Sequence, residues 1–343
     1  MLPRELTAIH AGSWKLFHLI SYHRAMNAPD PLAWLLDSDP VIRWQTMRDL
    51  TGASSAAIAA ERARIPREGL GAAILAAQES DGSWRRPGKP LWLSTLFTFL
   101  LLRSTGIDPS EPAVQSAVAR LESGLRWNDL GGRWELREPH TGGNTFFEGE
   151  VEPCINGGAL AVGSYFRRPA ESLARRLLGE QLTDGGWNCE APKSRRSSFH
   201  TTICVLEGLL EFEHAVGSGR EIAAARMRGE EYLLERSLFR RKSTGEVASP
   251  EFLKLAFPPR YHYDILRAID YFRAARAHPD PRMTEAASLI ASKRQVGGGW
   301  LLDRCYDEAL SVPCGEVAGE PSKWITLRAL RVLRWYGSPR AKS

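Results

Sequence analysis

The stretch Gln181-Leu-Thr-Asp-Gly-Gly-Trp187 decides the fold, because similar turns recur along the chain. The related segments are Gln78-Glu-Ser-Asp-Gly-Ser-Trp84, Leu130-Gly-Gly-Arg-Trp134 and Gln295-Val-Gly-Gly-Gly-Trp300. Glycine readily adopts the positive φ that stops a helix or makes a tight turn. A Trp at a fixed place after the turn is then able to pack over the end of the helix just completed. Recurrence of this kind predicts an architecture of repeated units.

Six apolar segments, each predicted to be a buried helix, align by their starts. They are residues 43–50, 91–102, 153–163, 199–210, 261–272 and 323–333. Their second positions are Trp44, Trp92, Cys154, His200, His262 and Trp324, at successive spacings of 48, 62, 46, 62 and 62 residues. Two residues further on stand Thr46, Ser94, Asn156, Thr202, Asp264 and Thr326. The segments between them are amphipathic and charged, as expected of helices with one face in water.

This alternation predicts an all-α fold in which buried inner helices pair with outer ones. Six such pairs can close on themselves into an α6/α6 toroid. An open solenoid of helix pairs is the alternative, but it would expose one side of the apolar helices. The prediction is a single toroid domain over residues 31–338, preceded by an N-terminal extension, residues 1–30.

Composition excludes several classes of protein. The 343 residues are 43% hydrophobic and 25% charged, with a net charge of +5 and no block of like charge. These values are typical of a globular protein and do not favour a nucleic-acid partner. The sequence contains no apolar run of about 18 residues and no hydrophobic leader at its start, so we expect a cytoplasmic protein without a membrane span. Five cysteines, an odd number, argue against a disulfide framework.

The turns and paired helices resemble the prenyltransferase and squalene-cyclase repeat, over roughly residues 31–338. This family includes the β subunits of protein prenyltransferases and the class II triterpene cyclases, and the resemblance implies the α6/α6 toroid with a central apolar funnel. In the β subunits, zinc is bound by an Asp-x-Cys motif and by a His one repeat later. Glu152-Pro153-Cys154 matches the first motif, and Lys193-Ser-Arg-Arg-Ser-Ser-Phe-His200-Thr-Thr-Ile-Cys matches the second. The resemblance therefore implies zinc bound by Glu152, Cys154 and His200.

The chemistry of these residues agrees with a zinc site. Zinc accepts thiolate, imidazole and carboxylate ligands together, and catalytic sites leave one position open. Packed helices lie about 8–10 Å apart, close enough for two inward side chains to share an ion. Pro153 suits the first turn of a helix and would leave Glu152 at or near the N-cap. His262, at the same level of the next repeat, is interpreted as a fourth ligand, a group that supports a ligand, or a general acid or base.

Two differences from the family's motifs limit the class of substrate that we expect. Glu148 and Glu150 stand where the prenyltransferases carry the basic residues that bind diphosphate. Because carboxylates repel a diphosphate, we expect a different substrate. The Asp-x-Asp-Asp acid of the cyclases is also missing, since Asp37-Ser-Asp39-Pro lies in another repeat and lacks the last acid.

The function predicted from the sequence is a zinc enzyme acting on a small or partly apolar substrate that is not a diphosphate. His262, paired with Asp264 and assisted by Tyr261 and Glu150, is the predicted acid–base machinery. Lyase, hydrolase, cyclase and transfer reactions remain open, as does the oligomeric state. An isoprenoid cyclase or transferase without an essential metal is one alternative, and a non-catalytic binding toroid is another. Cys305 and Cys314 show no spacing typical of a metal site, and for Cys189 a core or surface role is favoured over a metal role.

Overall fold

In the computed structural model of the chain, residues 30–130, 134–137 and 142–337 are described. Across these ranges the chain forms thirteen α-helices and five short strands, which confirms the predicted all-α class. The helices are α1 Pro31–Leu36, α2 Pro40–Leu50, α3 Ser55–Arg62, α4 Gly69–Ala76, α5 Leu91–Ser104, α6 Pro112–Gly124, α7 Pro153–Tyr165, α8 Glu171–Gly179, α9 Phe199–Val216, α10 Arg220–Leu234, α11 Ile265–Ala275, α12 Thr284–Ser292 and α13 Lys323–Gly337.

The strands form two small antiparallel sheets. In the first, β1 Arg126–Asp129 pairs with both β2 Trp134–Arg137 and β3 Asn144–Thr145. In the second, β4 Trp300–Leu301 pairs with β5 Pro321–Ser322 immediately before α13. Short 3-10 helices occupy Phe146–Glu148, Pro250–Leu253 and Pro281–Met283.

Six of the helices correspond to the aligned apolar segments, and we call α2, α5, α7, α9, α11 and α13 the aligned helices. Five of them begin within three residues of the predicted start. The sixth prediction is wrong, because α11 begins at Ile265 and not at residue 261. Asp264 has extended backbone angles and its side chain accepts the backbone N–H of Arg267 at 2.8 Å. An N-cap of this kind starts a helix at the next residue, so His262 lies in the segment before α11.

The tryptophans of three turns pack as predicted over the helix just completed. Each indole N–H donates at 2.7 Å to the carbonyl ten residues earlier, in the pairs Trp84–Ile74, Trp187–Leu177 and Trp300–Ile290. All three side chains are fully buried. The side-chain amides of Gln78 and Gln181 each donate to a carbonyl of their own turn and to a second carbonyl, that of Ala117 in α6 and that of Ala225 in α10 respectively. The repeated turns therefore attach the end of α4 to α6 and the end of α8 to α10.

The Leu130–Trp134 copy is an exception. Residues 131–133 lie outside the described part of the chain, while Trp134 opens β2 opposite Asp129. Because α6 has already ended at Gly124, this copy belongs to a hairpin, and the prediction that it closes a helix is wrong.

The aligned helices contact one another in chain order. The pairs in contact are α5–α7, α7–α9, α9–α11 and α11–α13. The last of them, α13, also packs against the first, α2. The indole N–H of Trp44 in α2 donates to the carbonyl of Thr105, just after α5, at 2.8 Å. The polar residues of the aligned set, Thr46, Ser94, Asn156, Thr202, Asp264 and Thr326, are all buried.

The predicted N-terminal extension, residues 1–30, lies outside the described residues except for Asp30. Among the helices of the described part, none combines the length and the apolar character that crossing a membrane requires.

Candidate metal site and cavity

Close packing of α7 on α9 sets the position of the candidate site. A Cβ added at Gly157 would lie 2.5 Å from the carbonyl oxygen of Cys204, and one added at Gly208 would lie 2.5 Å from that of Gly157. Only glycine permits such an approach, so the two backbones touch at this level. The first turn of α7 is thereby held beside the segment that leads into α9.

The start of α7 follows the prediction. Pro153 occupies the first turn and Glu152 is the N-cap residue. The preceding segment is fixed by Asn156, whose side chain accepts the backbone N–H of Glu150 at 2.8 Å and donates to its carbonyl at 2.9 Å. Glu152 and Cys154 are therefore presented from a rigid helix terminus.

Three ligand atoms gather at this terminus. A carboxylate oxygen of Glu152 and the sulfurs of Cys154 and Cys189 all lie within 4.8 Å of one another. Glu152 Oε2 is 3.7 Å from Cys154 Sγ. In a tetrahedral zinc site with bonds of about 2.3 Å to sulfur and about 2.1 Å to oxygen, these atoms would be about 3.6 Å apart. The group has the donor chemistry and the spacing to hold a metal ion.

Cys189 reaches the group because the loop after the Trp187 turn folds back onto α9. Its backbone N–H donates to Thr201 Oγ1 at 3.3 Å, and its sulfur lies 3.4 Å from the same oxygen. The hydrogen bond between the two thiols raises the pKa of Cys154 and lowers that of Cys189. A lowered pKa increases the share of thiolate at Cys189, and the thiolate is the form that binds metals.

His200 lies in the first turn of α9 but outside this group of three. Its Nδ1 accepts the backbone N–H of Tyr263 at 2.9 Å. Burial, with the nearby charge of Arg267, lowers the pKa of His200 and favours the neutral ring. A neutral imidazole has one N–H, so Nε2 carries the proton here and offers no lone pair to a metal. In this arrangement His200 holds the segment before α11.

The two glutamates before the site differ in environment. Glu148 is exposed, and its carboxylate accepts the backbone N–H of Thr145 at 2.7 Å in a capping box. Glu150 is buried and its side chain accepts the backbone N–H of Glu152 at 2.6 Å. Burial raises the pKa of Glu150 to about 7, although backbone hydrogen bonds oppose the shift. Glu148 therefore shapes the turn, whereas Glu150 lies directly beside a member of the group.

The predicted acid–base pair is not assembled in the structure. The His262 ring stacks on that of Tyr306, at a centroid distance of 3.9 Å, and contacts Tyr261 at 4.3 Å. Burial and the nearby His200 and Arg260 lower the pKa of His262 to about 4, so the ring is neutral at pH 7. Asp264 caps α11 with one carboxylate oxygen, and the other has no hydrogen-bond partner among the described residues.

The two tyrosines beside His262 also differ. Tyr261 is exposed and packs against Phe97, at 6.1 Å between centroids. Tyr263 is buried, and its hydroxyl donates to the carbonyl of Leu238. The hydroxyl of Tyr263 thus forms a structural hydrogen bond, whereas the side chain of Tyr261 is accessible to solvent.

A second group of possible ligands lies in the loop between β4 and β5. The side chains of Cys305, Asp307 and Cys314 place one ligand atom each within 4.8 Å of the others. Sequence reasoning missed this group, because a separation of nine residues between the cysteines matches no familiar metal motif. It also favoured a core or surface role for Cys189, whose position two residues after the turn tryptophan was the available signal.

A cavity of about 760 Å³ lies among the aligned helices and is lined by residues from all six. Trp44 and Trp324 are part of its wall, as are Phe97 and Tyr165. Among the described residues, the lining contains eight arginines and five acids, a net charge of +3. The arginines are Arg48, Arg62, Arg103, Arg260, Arg267, Arg273, Arg328 and Arg331.

Several of these arginines are paired inside the cavity wall. Arg267 bonds Glu207 at 2.6 Å, and Arg103 pairs with Glu211. The single carboxylate of Asp270 pairs with three arginines, which are Arg273, Arg328 and Arg331. Arg260 is paired with Glu308 at 2.7 Å, but its Nε is buried without a hydrogen-bond partner. The wall is therefore polar and positively charged at this level, which differs from the apolar funnel that the resemblance implies.

Comparison with known proteins gives little further information. No protein-family model matches the chain. The non-reducing polyketide synthase albA of Aspergillus brasiliensis is 28% identical over 110 residues, which is 31% of this chain. The chain spans only 5% of the length of that protein.

Proposed function

We propose that this chain is a zinc-dependent enzyme built on an α6/α6 toroid, acting on a small or partly apolar substrate that is not a diphosphate. Contacts between successive aligned helices, together with the packing of α13 on α2, support the closed arrangement. The cavity bounded by all six aligned helices supports it as well. A cavity of this size is typical of a small-molecule site, and its wall combines aromatic with charged side chains.

The observation that carries the proposal is the group formed by Glu152, Cys154 and Cys189 at the start of α7. Two thiols and a carboxylate are suitable ligands for zinc, and three protein ligands leave a fourth position for water or substrate. Zinc bound there would act as a Lewis acid or lower the pKa of a bound water. Glu152 and Cys154 would be preorganised by the helix terminus, and Cys189 by its contact with Thr201.

The ligand set that we propose contains Cys189 as its third member. Ligation by His200, which the resemblance implies, remains a separate prediction, because it requires loss of the Tyr263 hydrogen bond or of the Nε2 proton. Proton transfer by Glu150, His262, Asp264 and Tyr261 also remains a prediction. Of these four, Glu150 lies nearest to the group in the chain and contacts Glu152 directly.

Metal analysis of purified full-length protein tests the proposal. Wild-type protein is compared with Cys154→Ser, Cys189→Ser and His200→Ala, and with Cys204→Ser as the matched control, since Cys204 belongs to neither candidate group. We expect Cys154→Ser and Cys189→Ser each to lose one equivalent of zinc, and Cys204→Ser to lose none. Loss in His200→Ala but not in Cys189→Ser would establish the ligand set that the resemblance implies. Unchanged zinc in all variants would overturn the zinc proposal.

One observation favours a second candidate, an isoprenoid transferase or cyclase type of enzyme with an anionic substrate. The cavity wall carries a net charge of +3, and the guanidinium groups of Arg273, Arg328 and Arg331 share one carboxylate. Guanidinium groups bind phosphate and carboxylate oxygens well. Thermal unfolding with and without inorganic diphosphate distinguishes the two candidates. The second is favoured if diphosphate stabilises the wild-type protein, stabilises Arg328→Gln less, and stabilises Arg282→Gln, a surface control, as much as the wild type.

A further inference from the structure

The loop between β4 and β5 has little regular structure of its own, yet it carries three side chains of the kind that bind metals. Cys305 Sγ lies 3.7 Å from Cys314 Sγ, and Cys314 Sγ lies 3.8 Å from Asp307 Oδ2. A disulfide would bring the sulfurs to about 2.05 Å. Two sulfurs on one zinc ion, each at about 2.3 Å in tetrahedral geometry, are about 3.8 Å apart. The observed spacing matches the edge of a zinc tetrahedron.

A fourth donor lies at the same spacing. The backbone carbonyl oxygen of Glu316 is 3.6 Å from Cys305 Sγ. The Glu316 carboxylate is engaged elsewhere, since it accepts the backbone N–H of Trp324 at 3.4 Å. Cys314 is only 7% exposed, and Cys305 and Asp307 are half-buried. The three side-chain donors are thus partly shielded from solvent, and the Glu316 carbonyl lies beside one of them.

The types of donor decide which ion this volume would take. Cysteines bind a metal as thiolates, and a divalent cation compensates the charge of two thiolates and a carboxylate. Paired thiolates select zinc and other soft ions over magnesium or calcium.

The same loop bridges two parts of the fold that are distant in sequence. The backbone N–H of Ser311 donates to Thr98 Oγ1 in α5 at 3.2 Å. Tyr306 stacks on His262 at 3.9 Å, and Glu308 pairs with Arg260, which lines the cavity. With only two residues in each of β4 and β5, the loop depends on such contacts for its position.

We propose that Cys305, Asp307 and Cys314 bind a second zinc ion, with the Glu316 carbonyl or a water as the fourth ligand, and that this ion holds the loop against α5 and His262. The proposal is independent of the Glu152 site, because the two groups share no residue. It assigns this ion a structural role at the edge of the cavity.

A cobalt titration tests binding. The Cys154→Ser/Cys189→Ser variant isolates the second group, and cobalt bound to thiolates gives an intense charge-transfer band. We expect the metal-free, reduced variant to take up one equivalent of Co²⁺ with this band, and added Zn²⁺ to displace it. Adding Cys305→Ser and Cys314→Ser should abolish the band, whereas adding Cys204→Ser should not. Absence of the band in the isolating variant, or its survival without Cys305 and Cys314, overturns the proposal.

Limited proteolysis tests the structural role. Trypsin cleavage after Arg304, whose side chain is 47% exposed, reports on the loop, and cleavage after Lys242 in another exposed segment is the internal control. In the Cys154→Ser/Cys189→Ser protein, zinc should slow cleavage after Arg304 at least tenfold and leave cleavage after Lys242 unchanged. In the variant that also lacks Cys305 and Cys314, zinc should have no effect, and an unchanged helical circular-dichroism spectrum verifies that it folds. Equal cleavage with and without zinc in the first protein would contradict the proposed role.

Discussion

The hydroxyl of Thr202 accepts the backbone N–H of Trp187 at 3.1 Å, so the turn that ends one repeat is attached to the helix that begins the next. Thr326 accepts the N–H of Trp300 at 2.9 Å in the same way. At Trp84 the acceptor is Thr95, one position later in its helix than the aligned Ser94. In three of the aligned helices, α5, α9 and α13, one buried hydroxyl thus accepts the backbone N–H of the turn tryptophan.

Replacement of Thr202 by Val should destabilise the protein. The shape is nearly conserved, but the buried N–H of Trp187 loses its acceptor, which costs about 1–3 kcal/mol. Urea denaturation measures the effect. Thr244→Val, at an exposed position, is the control and should change the free energy of unfolding by less than about 0.5 kcal/mol. Equal effects of the two substitutions would contradict the role assigned to Thr202.

Gly185 is required for two reasons, its positive φ and its close packing. It has a φ of 97°, and an added Cβ would lie 2.6 Å from the backbone oxygen of Arg228. Gly217 has a similar φ of 90° with nothing within 4 Å. Gly217→Ala should therefore cost only the backbone strain of its positive φ, about 1–3 kcal/mol, whereas Gly185→Ala should cost more. A thermal-unfolding midpoint for Gly185→Ala at or above that of Gly217→Ala would refute this argument.

The close contact of α7 and α9 should be necessary for metal binding at the first group. A Cβ at Gly157 would meet backbone atoms of Cys204, whereas the nearest neighbours of one at the adjacent Gly158 are side-chain atoms, of Leu100 at 3.3 Å and of Leu96 at 3.7 Å. Gly157→Ala should push the helices apart and weaken Co²⁺ binding in the Cys305→Ser/Cys314→Ser background by tenfold or more. Gly158→Ala should bind nearly as tightly as the parent. Similar Co²⁺ affinities for the two alanine variants would show that metal binding does not depend on the contact between α7 and α9.

Asp270 should be essential for stability, because it is the shared partner of Arg273, Arg328 and Arg331. Asp270→Asn removes the carboxylate that the three arginines share and leaves Arg331 only its longer pair with Asp49, at 3.5 Å. Removal of one partner from such a buried cluster costs about 3–5 kcal/mol. Glu285→Gln breaks a surface pair with Arg240 and should cost less than about 1 kcal/mol. Chemical denaturation at pH 7 distinguishes the two. A loss for Asp270→Asn as small as that for Glu285→Gln would exclude a stabilising role.

The contribution of Asp270 should also depend on pH in one direction. Burial alone would raise its pKa, but Arg331, Arg273 and Arg328 outweigh burial and hold the pKa of Asp270 well below its ordinary value. A carboxyl with a depressed folded-state pKa stabilises the fold fully above its unfolded-state pKa, about 3.9, and loses that contribution as pH falls towards the folded-state value. The stability difference between wild type and Asp270→Asn should be constant from pH 8 to pH 5 and shrink below about pH 4. A difference that grows on acidification would show the opposite linkage.

The turns were predictable from sequence because their chemistry is local. Gly185 and Trp187 recur with the same spacing in other copies, and the indole bond spans only ten residues. The start of α11 was not, because the apolar pattern continues through Tyr261 and Tyr263 while the cap at Asp264 delays the helix. The spacing of His262 from His200 therefore predicted a helical position for His262, which lies in the segment before α11.

Tertiary contacts decide which residues form the candidate metal groups, and the spacing of residues in the sequence does not predict these contacts. Glu152 and Cys154 were identified through a motif, and the cap geometry of Glu152 followed from Pro153. Cys189 joins them only because its loop folds back onto Thr201. Cys305 and Cys314 meet because strand pairing between β4 and β5 closes the loop that carries them.

The packing of α13 on α2 has a consequence for synthesis in the cell. Arg331 donates to the side chain of Gln45 at 3.1 Å across a separation of 286 residues, and Lys323 donates to the carbonyl of Asp37 across the same separation. One face of α2 therefore stays without its native neighbour until the ribosome has released residues 323–337. Contacts this distant in sequence slow folding and expose apolar surface in the meantime. The nascent chain would depend on its other, more local helix contacts to protect that surface during translation.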